Sequence, residues 1–464
     1  MSDTFYDHNS PENLYSLLAG FTATQENRTG LISFFPPDQY RNPRNWTFSE
    51  INHQVTRTAN MFFSLGVKKG DVVAVVLPEI AESYFAIWGA ASVGVALPIH
   101  PGLETYQIAD LIASAGAKIL VTTGPMGQND LWDRIAQFRP HLPELKTILQ
   151  VDLTAKLGFF QRTSLRASLR GKGKAEKIAG QEIGDFNLTL AKFADSPSFP
   201  LPDPDDTAIW FHSPETWHEP TLTSFSHREV MDTALSLKNP GQSPVWPAFH
   251  LSHSQGFIAG KVSAWAANKT VICGEEHSPE KLQFFKVDSQ VTPALPDNPK
   301  WKNTQGIPLH RLLETEDKLL DITLVEKFAE QHPMVKDVVA IPSPDRKKGW
   351  APVIFVSPQT NGPVLPRDIY DFLVQKIPAK ELVPAGIRII DKLPRSSTGD
   401  IAVYLLCRNE IENTLKQIPG VANCKAICEE DGEWRVNIWL SSAGQKPAVA
   451  EQMKGFLFEI DFFE

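Results

Sequence analysis

Val72-Val73-Ala74-Val75-Val76-Leu77 is the stretch whose reading decides the fold. An unbroken apolar run of this length marks a strand buried on both faces, because a strand with one wet face alternates apolar and polar residues. It enters from the turn Lys69-Gly70-Asp71. Upstream, Ser49 is the expected N-cap of a helix over residues 50–65, which Gly66 stops. Downstream, residues 82–93 are apolar nearly all round and read as a buried helix ended by Gly94. A short strand over 95–99, the turn Pro101-Gly102, a helix over 106–115 and a strand over 118–122 follow. Strand and helix alternating at this spacing predict βαβ units and a mostly parallel sheet.

The chain has 464 residues, enough for two or three domains with proper cores. With 42% hydrophobic and 21% charged residues it has an ordinary globular composition. No apolar run approaches the ~20 residues that span a bilayer. The start Met1-Ser2-Asp3-Thr4 is polar and acidic, unlike a secretory signal. A cytoplasmic location is the expectation. A net charge of −9 argues against general nucleic-acid binding. Cys273, Cys407, Cys424 and Cys428 make no disulfide framework in a chain this long. No histidine lies near Cys424 and Cys428 in sequence, so they read as small buried hydrophobes and no metal site is expected.

Residues 153–180 interrupt the alternation. Arg162, Arg166 and Arg170 sit here with four lysines among Leu157, Phe159, Phe160, Leu165 and Leu169. The segment reads as a solvated surface insertion, or as a contact for an anionic membrane or an acidic partner. Thr207-Ala208-Ile209-Trp210-Phe211 begins a new run as a strand. Residues 275–310 show little periodicity and suggest a linker or a trimmed region. A second domain begins near Leu312, with a helix over 323–331 and strands over 335–341 and 352–357. Its outline recurs: Leu324-Val325-Glu326-Lys327-Phe328-Ala329-Glu330-Gln331-His332-Pro333 aligns with Glu410-Ile411-Glu412-Asn413-Thr414-Leu415-Lys416-Gln417-Ile418-Pro419. Each is followed by a strand, a charged turn and a second strand. Two copies are too few for a solenoid, so duplication of one small α+β unit is expected, the second shortened.

Several of these stretches resemble the adenylate-forming superfamily of acyl-CoA synthetases, luciferases and peptide-synthetase adenylation domains. The opening similarity runs through Trp46-Thr47-Phe48, Leu65-Gly66-Val67-Lys68-Lys69-Gly70-Asp71, Leu77-Pro78-Glu79, Gly94-Val95-Ala96-Leu97-Pro98-Ile99 and Ser114-Ala115-Gly116-Ala117-Lys118. His253-Ser254-Gln255-Gly256 resembles the family's segment beside the acyl pocket, which makes His253 and Gly256 the acyl-pocket candidates. Residues 324–401, ending in Leu393-Pro394-Arg395-Ser396-Ser397-Thr398-Gly399-Asp400-Ile401, are similar to the mobile C-terminal domain. The resemblance implies an α/β fold: a truncated adenylate-forming N-terminal domain over 1–310 with mostly parallel sheets, shortened after about 290, a small α+β C-terminal domain over 311–408, and its partial repeat over 409–464.

The resemblance also implies ATP, magnesium and CoA, yet three departures stand against them. The family's glycine-rich phosphate loop ends in Pro-Lys, because backbone N–H groups and a lysine supply the positive potential. Here the stretch reads His212-Ser213-Pro214-Glu215-Thr216-Trp217-His218-Glu219-Pro220-Thr221, with no glycine and with Thr221 in the lysine's place. Ser213, Thr216, Pro220 and Thr221 are thus the residues of a degenerate phosphate loop. Glu215 and Glu219 would repel phosphate, at a cost of about 4 kcal/mol for a like charge ~4 Å away at an effective dielectric of ~20. Second, Asp400 stands where the family's C-terminal lysine bridges carboxylate and phosphate. Third, the short stretch between Gly256 and Leu312 contains neither the family's aromatic-Gly-x-Thr-Glu segment nor its ribose-binding aspartate.

The favoured reading is a homologue that does not adenylate and acts as a binding, scaffolding or regulatory subunit in acyl metabolism. Its partner would be an active ligase or an acyl carrier protein. Two alternatives stay open. One is a working acid–CoA or acid–carrier ligase in which His212, His218, His250 and His253 restore the lost positive charge. The other is a peripheral membrane protein using the basic segment 156–177. Neither a confident cofactor nor a catalytic residue emerges, and nucleic acid is not an expected partner.

Overall fold

The computed structural model describes residues 11–126, 130–157, 163, 165, 180–212, 222–237, 243–247, 249–274, 278–287, 312–315, 318–346, 349–359, 365–377, 382–395, 401–428, 434–454, 456 and 458–463. They fall into two units, one within residues 1–301 and one within 302–464.

The first unit opens with α1 (Leu14–Gln25), whose N-cap Asn13 accepts a hydrogen bond from the Ser16 amide. Strands β1 (Thr29–Ser33) and β2 (Arg44–Thr47) pair antiparallel and lead directly into α2 (Phe48–Ser64). Thr47, not Ser49, caps α2. Its hydroxyl accepts from the Glu50 amide while the Glu50 carboxylate accepts from the Thr47 amide, so two orphan donors are satisfied reciprocally. Phe48 is fully buried in the first turn.

Then come β3 (Val72–Val76), α3 (Ala81–Ala91), β4 (Val95–Pro98), α4 (Thr105–Ser114), β5 (Ile119–Thr123), α5 (Leu131–Phe138), β6 (Thr147–Val151), β7 (Glu182–Asp185), α6 (Phe186–Leu190), β8 (Thr207–His212), β9 (Leu222–Ser226) and α7 (His227–Ser236). The sheet order is β7-β6-β5-β3-β4-β8-β9. Every neighbouring pair is parallel except β8 and β9. The apolar run of β3 has its reason here. Val73 and Val75 face the core built by α1, α2 and α3, while Val72, Ala74 and Val76 face the core built by α4 and α5. Each such valine taken fully from water contributes roughly 1.5–3 kcal/mol. Every residue of α3 is buried, as its all-round apolar sequence predicts.

A π-helical segment, Gln255–Val262, runs into α8 (Ser263–Ala266). Strand β10 (Val271–Cys273) then adds parallel to β1, making a second sheet of order β10-β1-β2. Helix α9 (Pro279–Phe285) lies within the stretch read from sequence as a linker, and Phe285 stacks on Phe34 with centroids 5.5 Å apart.

The second unit begins with the antiparallel pair β11 (Leu312–Thr315) and β12 (Lys318–Asp321). It continues as α10 (Thr323–Ala329), β13 (Val335–Asp345), β14 (Gly349–Pro358), α11 (Pro366–Lys376) and β15 (Gly386–Ile389), and then as α12 (Val403–Lys416), β16 (Val421–Cys428), β17 (Trp434–Leu440), α13 (Lys446–Met453) and β18 (Glu459–Phe463). The two halves share one order of elements and one pairing scheme, antiparallel then parallel. The second is abbreviated: its first two strands have 8 and 7 residues against 11 and 10. The correspondence reaches single hydrogen bonds. The Glu326 carboxylate accepts from the Ala340 amide at 2.7 Å, and the Glu412 carboxylate accepts from the Ala426 amide at 3.1 Å. Helix α12 is the shared layer. Val403, Leu406, Ile411 and Leu415 join one core with Val339 and Ile341 of the first half and Cys424, Ala426 and Val436 of the second.

All four cysteines are buried. Among the described residues no helix is long and apolar enough to cross a membrane.

Candidate functional site

Strand β3 lies between β4 and β5, so the chain leaves it to one side and later returns to the other. In open parallel sheets, ligands bind outside the carboxyl ends of strands at such a reversal. The polar residues beyond the ends of β3, β4 and β8 define the candidate site.

Glu79 follows β3 and is buried. Its Oε1 accepts from the Leu251 amide at 2.7 Å and from Lys261 Nζ at 3.0 Å. Lys261, 3% exposed, also donates to the Phe249 carbonyl at 3.0 Å. The lysine projects from the π-helical segment, a backbone form found disproportionately at functional sites. Its ammonium is thus held by a carboxylate and a carbonyl, as a buried charge must be.

His250 packs edge-on against His100, ring centroids 4.6 Å apart. Its Nδ1 accepts from the Ser252 amide at 3.0 Å and lies 2.9 Å from Ser252 Oγ. Burial, with the fields of Lys261 and His212 adding to it, lowers its pKa to about 3 against the opposing pull of the Leu77 backbone. His250 is therefore neutral at physiological pH. That outcome works against the expectation that it restores lost positive charge. His212, the last residue of β8, is buried beside it.

His253 and Gly256 stand together at the entrance of the π-helical segment. His253 Nδ1 accepts from the Gln255 amide at 3.1 Å, and its ring stacks on Phe249 at 5.4 Å. A Cβ on Gly256 would lie 2.1 Å from the His250 carbonyl oxygen and 2.5 Å from that of Phe249. Backbone, not a flexible side chain, fills that space, so glycine is required for the loop to pass this close. Gly256→Ala is expected to destabilise the protein by about 3 kcal/mol, the upper range for overpacking, read as a lowered urea midpoint at unchanged slope. An unshifted midpoint would mean that the loop 249–253 does not hold its place.

The remaining site candidates from sequence lie outside the described residues: Ser213, Thr216, Pro220 and Thr221 of the degenerate phosphate loop, His218, Asp400, and Arg162, Arg166 and Arg170. The lysine at this end of the sheet is already paired with Glu79, and His250 is held neutral. No group of three or more His, Cys, Asp or Glu among the described residues is placed to hold a metal ion.

The sequence reading did not single out Glu79 and Lys261 as site candidates. Glu79 stood only within a run of family likeness. Lys261 carried a usable signal, being the lone charge in Gly256-Phe257-Ile258-Ala259-Gly260-Lys261-Val262-Ser263-Ala264-Trp265. A charge inside an apolar run is buried, and a buried charge needs a partner.

With this geometry in hand, comparison with known proteins is informative. Residues 21–292 match the family model described as AMP-binding enzyme, and residues 324–400 match the AMP-binding enzyme C-terminal domain. The chain is similar to marinolic acid–CoA ligase of Pseudoalteromonas sp. (strain SANK 73390), 23% identical over 221 residues covering 45% of this chain and 30% of that protein. It is 34% identical over 83 residues to crotonobetaine/carnitine–CoA ligase of Salmonella arizonae, covering 18% of this chain and 16% of that one. Acetyl-coenzyme A synthetase 2 of Zygosaccharomyces bailii is 37% identical over 89 residues, 19% of this chain and 13% of its own length. The chain thus spans less than a third of these curated relatives. Among solved structures, the anthranilate CoA ligase AuaEII in complex with anthranoyl-AMP superposes with a TM-score of 0.60 at 15% identity, over 89% of this chain and 99% of that one. The ATP-bound RpMatB-BxBclM chimera B3 gives 0.57 at 12% identity, over 85% and 98%. At such identities the structural likeness bears on the fold alone.

Proposed function

The chain belongs to the AMP-binding enzyme family, and on that premise we propose that it is an acyl-CoA-ligase-like protein that does not adenylate. It acts instead as a binding or scaffolding subunit in acyl metabolism, alongside an active ligase or an acyl carrier protein. The observation that carries this reading is the loop after β8. His212-Ser213-Pro214-Glu215-Thr216-Trp217-His218-Glu219-Pro220-Thr221 has no glycine to let backbone wrap phosphate, no lysine, and two carboxylates. Nucleotidyl transfer is mainly positioning and charge stabilisation, so these are the losses that matter. The engaged Lys261 and neutral His250 support the same reading, since neither supplies a replacement charge. Asp400 in place of the expected lysine adds to it.

Calorimetric titration of the folded protein with Mg·ATP, AMP and CoA tests the proposal, with an active ligase measured beside it. No binding of ATP or AMP is the expected result. Micromolar affinity for ATP would overturn it and make the chain a working acid–thiol ligase, the activity that its relatives' names carry, to be followed by pyrophosphate exchange over a panel of acids.

A further inference from the structure

In the second unit, the sheet of order β13-β14-β15 ends on β15. The Ile390 amide donates to the Val356 carbonyl, and Arg388 stands in register with Phe355. Backbone groups alternate in direction along a strand, so those of Ile387 and Ile389 face away from β14, toward the edge. Among the described residues no strand pairs with that edge. An unpaired row of N–H and C=O groups is a template for another strand unless charge, proline or a covering element blunts it. Gly386-Ile387-Arg388-Ile389-Ile390 has no proline, and its one charge is engaged, Arg388 Nη2 lying 2.7 Å from Glu410 Oε1. The corresponding edge strand of the second half, β18, carries two carboxylates instead, Glu459 and Asp461.

A groove of 750 Å³ runs past the β15 edge. Ile387 and Ile389 border it from the core beneath α10 and α11, and Phe355, Ile390 and Leu406 from the core beneath α12. A space bordered from both faces of one sheet lies where the next strand would lie. Pro366 of α11 lines it, and Tyr370 and Val374 follow at four-residue spacing on that side of the helix, 42% and 47% exposed. Lys392 stands exposed at the rim, its charge unmatched among the described residues.

We propose that β15 takes up an extended peptide segment of a partner protein as a fourth strand, apolar on both faces and carrying a carboxylate for Lys392. Main-chain hydrogen bonds to Ile387 and Ile389 give such a complex its affinity, and alternate side chains give it specificity. An acidic strand is repelled from the equivalent edge of β18. The site lies within the second unit and does not depend on whether the protein adenylates.

The fluorescein-labelled heptapeptide Gly-Val-Leu-Val-Glu-Val-Gly is the probe, titrated with the full chain and followed by anisotropy. Its leucine and glutamate share one face of a strand and its valines the other. Successive amides of a strand point to opposite sides, so only one alternate set meets the β15 edge. N-methylation of the valines and N-methylation of leucine and glutamate should therefore differ. One set is expected to weaken binding about tenfold or more, and the other to change it little. Binding should also protect the Ile387 and Ile389 amides from hydrogen exchange. Glutamine in place of the peptide's glutamate should weaken binding about threefold at low salt, the size of an exposed ion pair. Lys392→Glu, on the surface, should reverse that preference. Ile389→Pro removes an edge N–H but no bond to β14, and should abolish binding with the circular dichroism unchanged. No binding, equal effects of the two methylated sets, absent protection, or equal affinity for the glutamate and glutamine peptides would each overturn the proposal. A chain already dimeric without peptide, with the same two amides protected, would give the edge to a second copy and overturn it as well.

Discussion

Lys261→Met is expected to destabilise the protein by about 3–5 kcal/mol, the cost of leaving a buried charge without its partner. The reasoning runs from geometry. Methionine fills nearly the volume of the lysine stem, so packing around the π-helical segment changes little. What changes is Glu79, which keeps the Leu251 amide at 2.7 Å but loses its counter-ion. The Phe249 carbonyl loses its Nζ donor as well. The double variant Glu79→Gln/Lys261→Met separates charge from packing. A glutamine at 79 still accepts from Leu251 and leaves no buried charge, so it should recover most of the loss. Urea midpoints for the wild type, the single variant and the double variant measure both steps. A single variant within about 1 kcal/mol of wild type would mean that Glu79 reaches water or a proton. A double variant no better than the single would place the loss in packing.

That pair also shows where the sequence stops being readable. The two residues are 182 apart in the chain, and nothing in local periodicity joins them. Lys261 announces that it needs a partner but not which one. By contrast, the apolar run 72–77 was legible because its cause is local to the strand: each successive residue meets a different covered face of the sheet. The matching order of elements in the second unit was legible for a similar reason. The helix carboxylate that accepts a strand amide recurs as Glu326 and Glu412, each bonding a residue 14 positions onward, so the constraint lies within one short segment. The position of the α2 cap was missed by two residues because both Thr47 and Ser49 are competent caps. The reciprocal bonds between Thr47 and Glu50 settle the cap at Thr47. The likeness to an acyl pocket singled out His253 and Gly256, which the structure places together at the start of the π-helical segment. Their partners, Phe249, His250 and Glu79, come from the fold.

Stability should fall steeply in mild acid, by about 4 kcal/mol between pH 7 and pH 5, through His250 and His227 together. His227 begins α7, and its Nδ1 accepts from the Leu14 amide at 3.2 Å, tying the start of α1 to the sheet. Burial lowers its pKa to about 4, against the partial opposition of Asp206 and of the Ala91 backbone. His250 is lowered to about 3, again chiefly by burial. In the unfolded chain both titrate near 6.5. Above that value neither state holds the protons, and the two histidines contribute nothing to the pH dependence. As pH falls below 6.5 the unfolded chain takes up protons that the folded protein refuses, so each histidine removes about 1.4 kcal/mol per pH unit until its folded pKa is reached. The direction is the same for both, and the window runs from 6.5 down to about 4 for His227 and about 3 for His250. Urea midpoints at pH 7, 6 and 5 trace the slope. His227→Asn, whose amide oxygen stands at the place of Nδ1 and can still accept from Leu14, should halve the loss over that range without removing it. A midpoint that stays level from pH 7 to 5 would show that both rings can be protonated in place, and would reopen His250 as a charge available at the ends of β3 and β8.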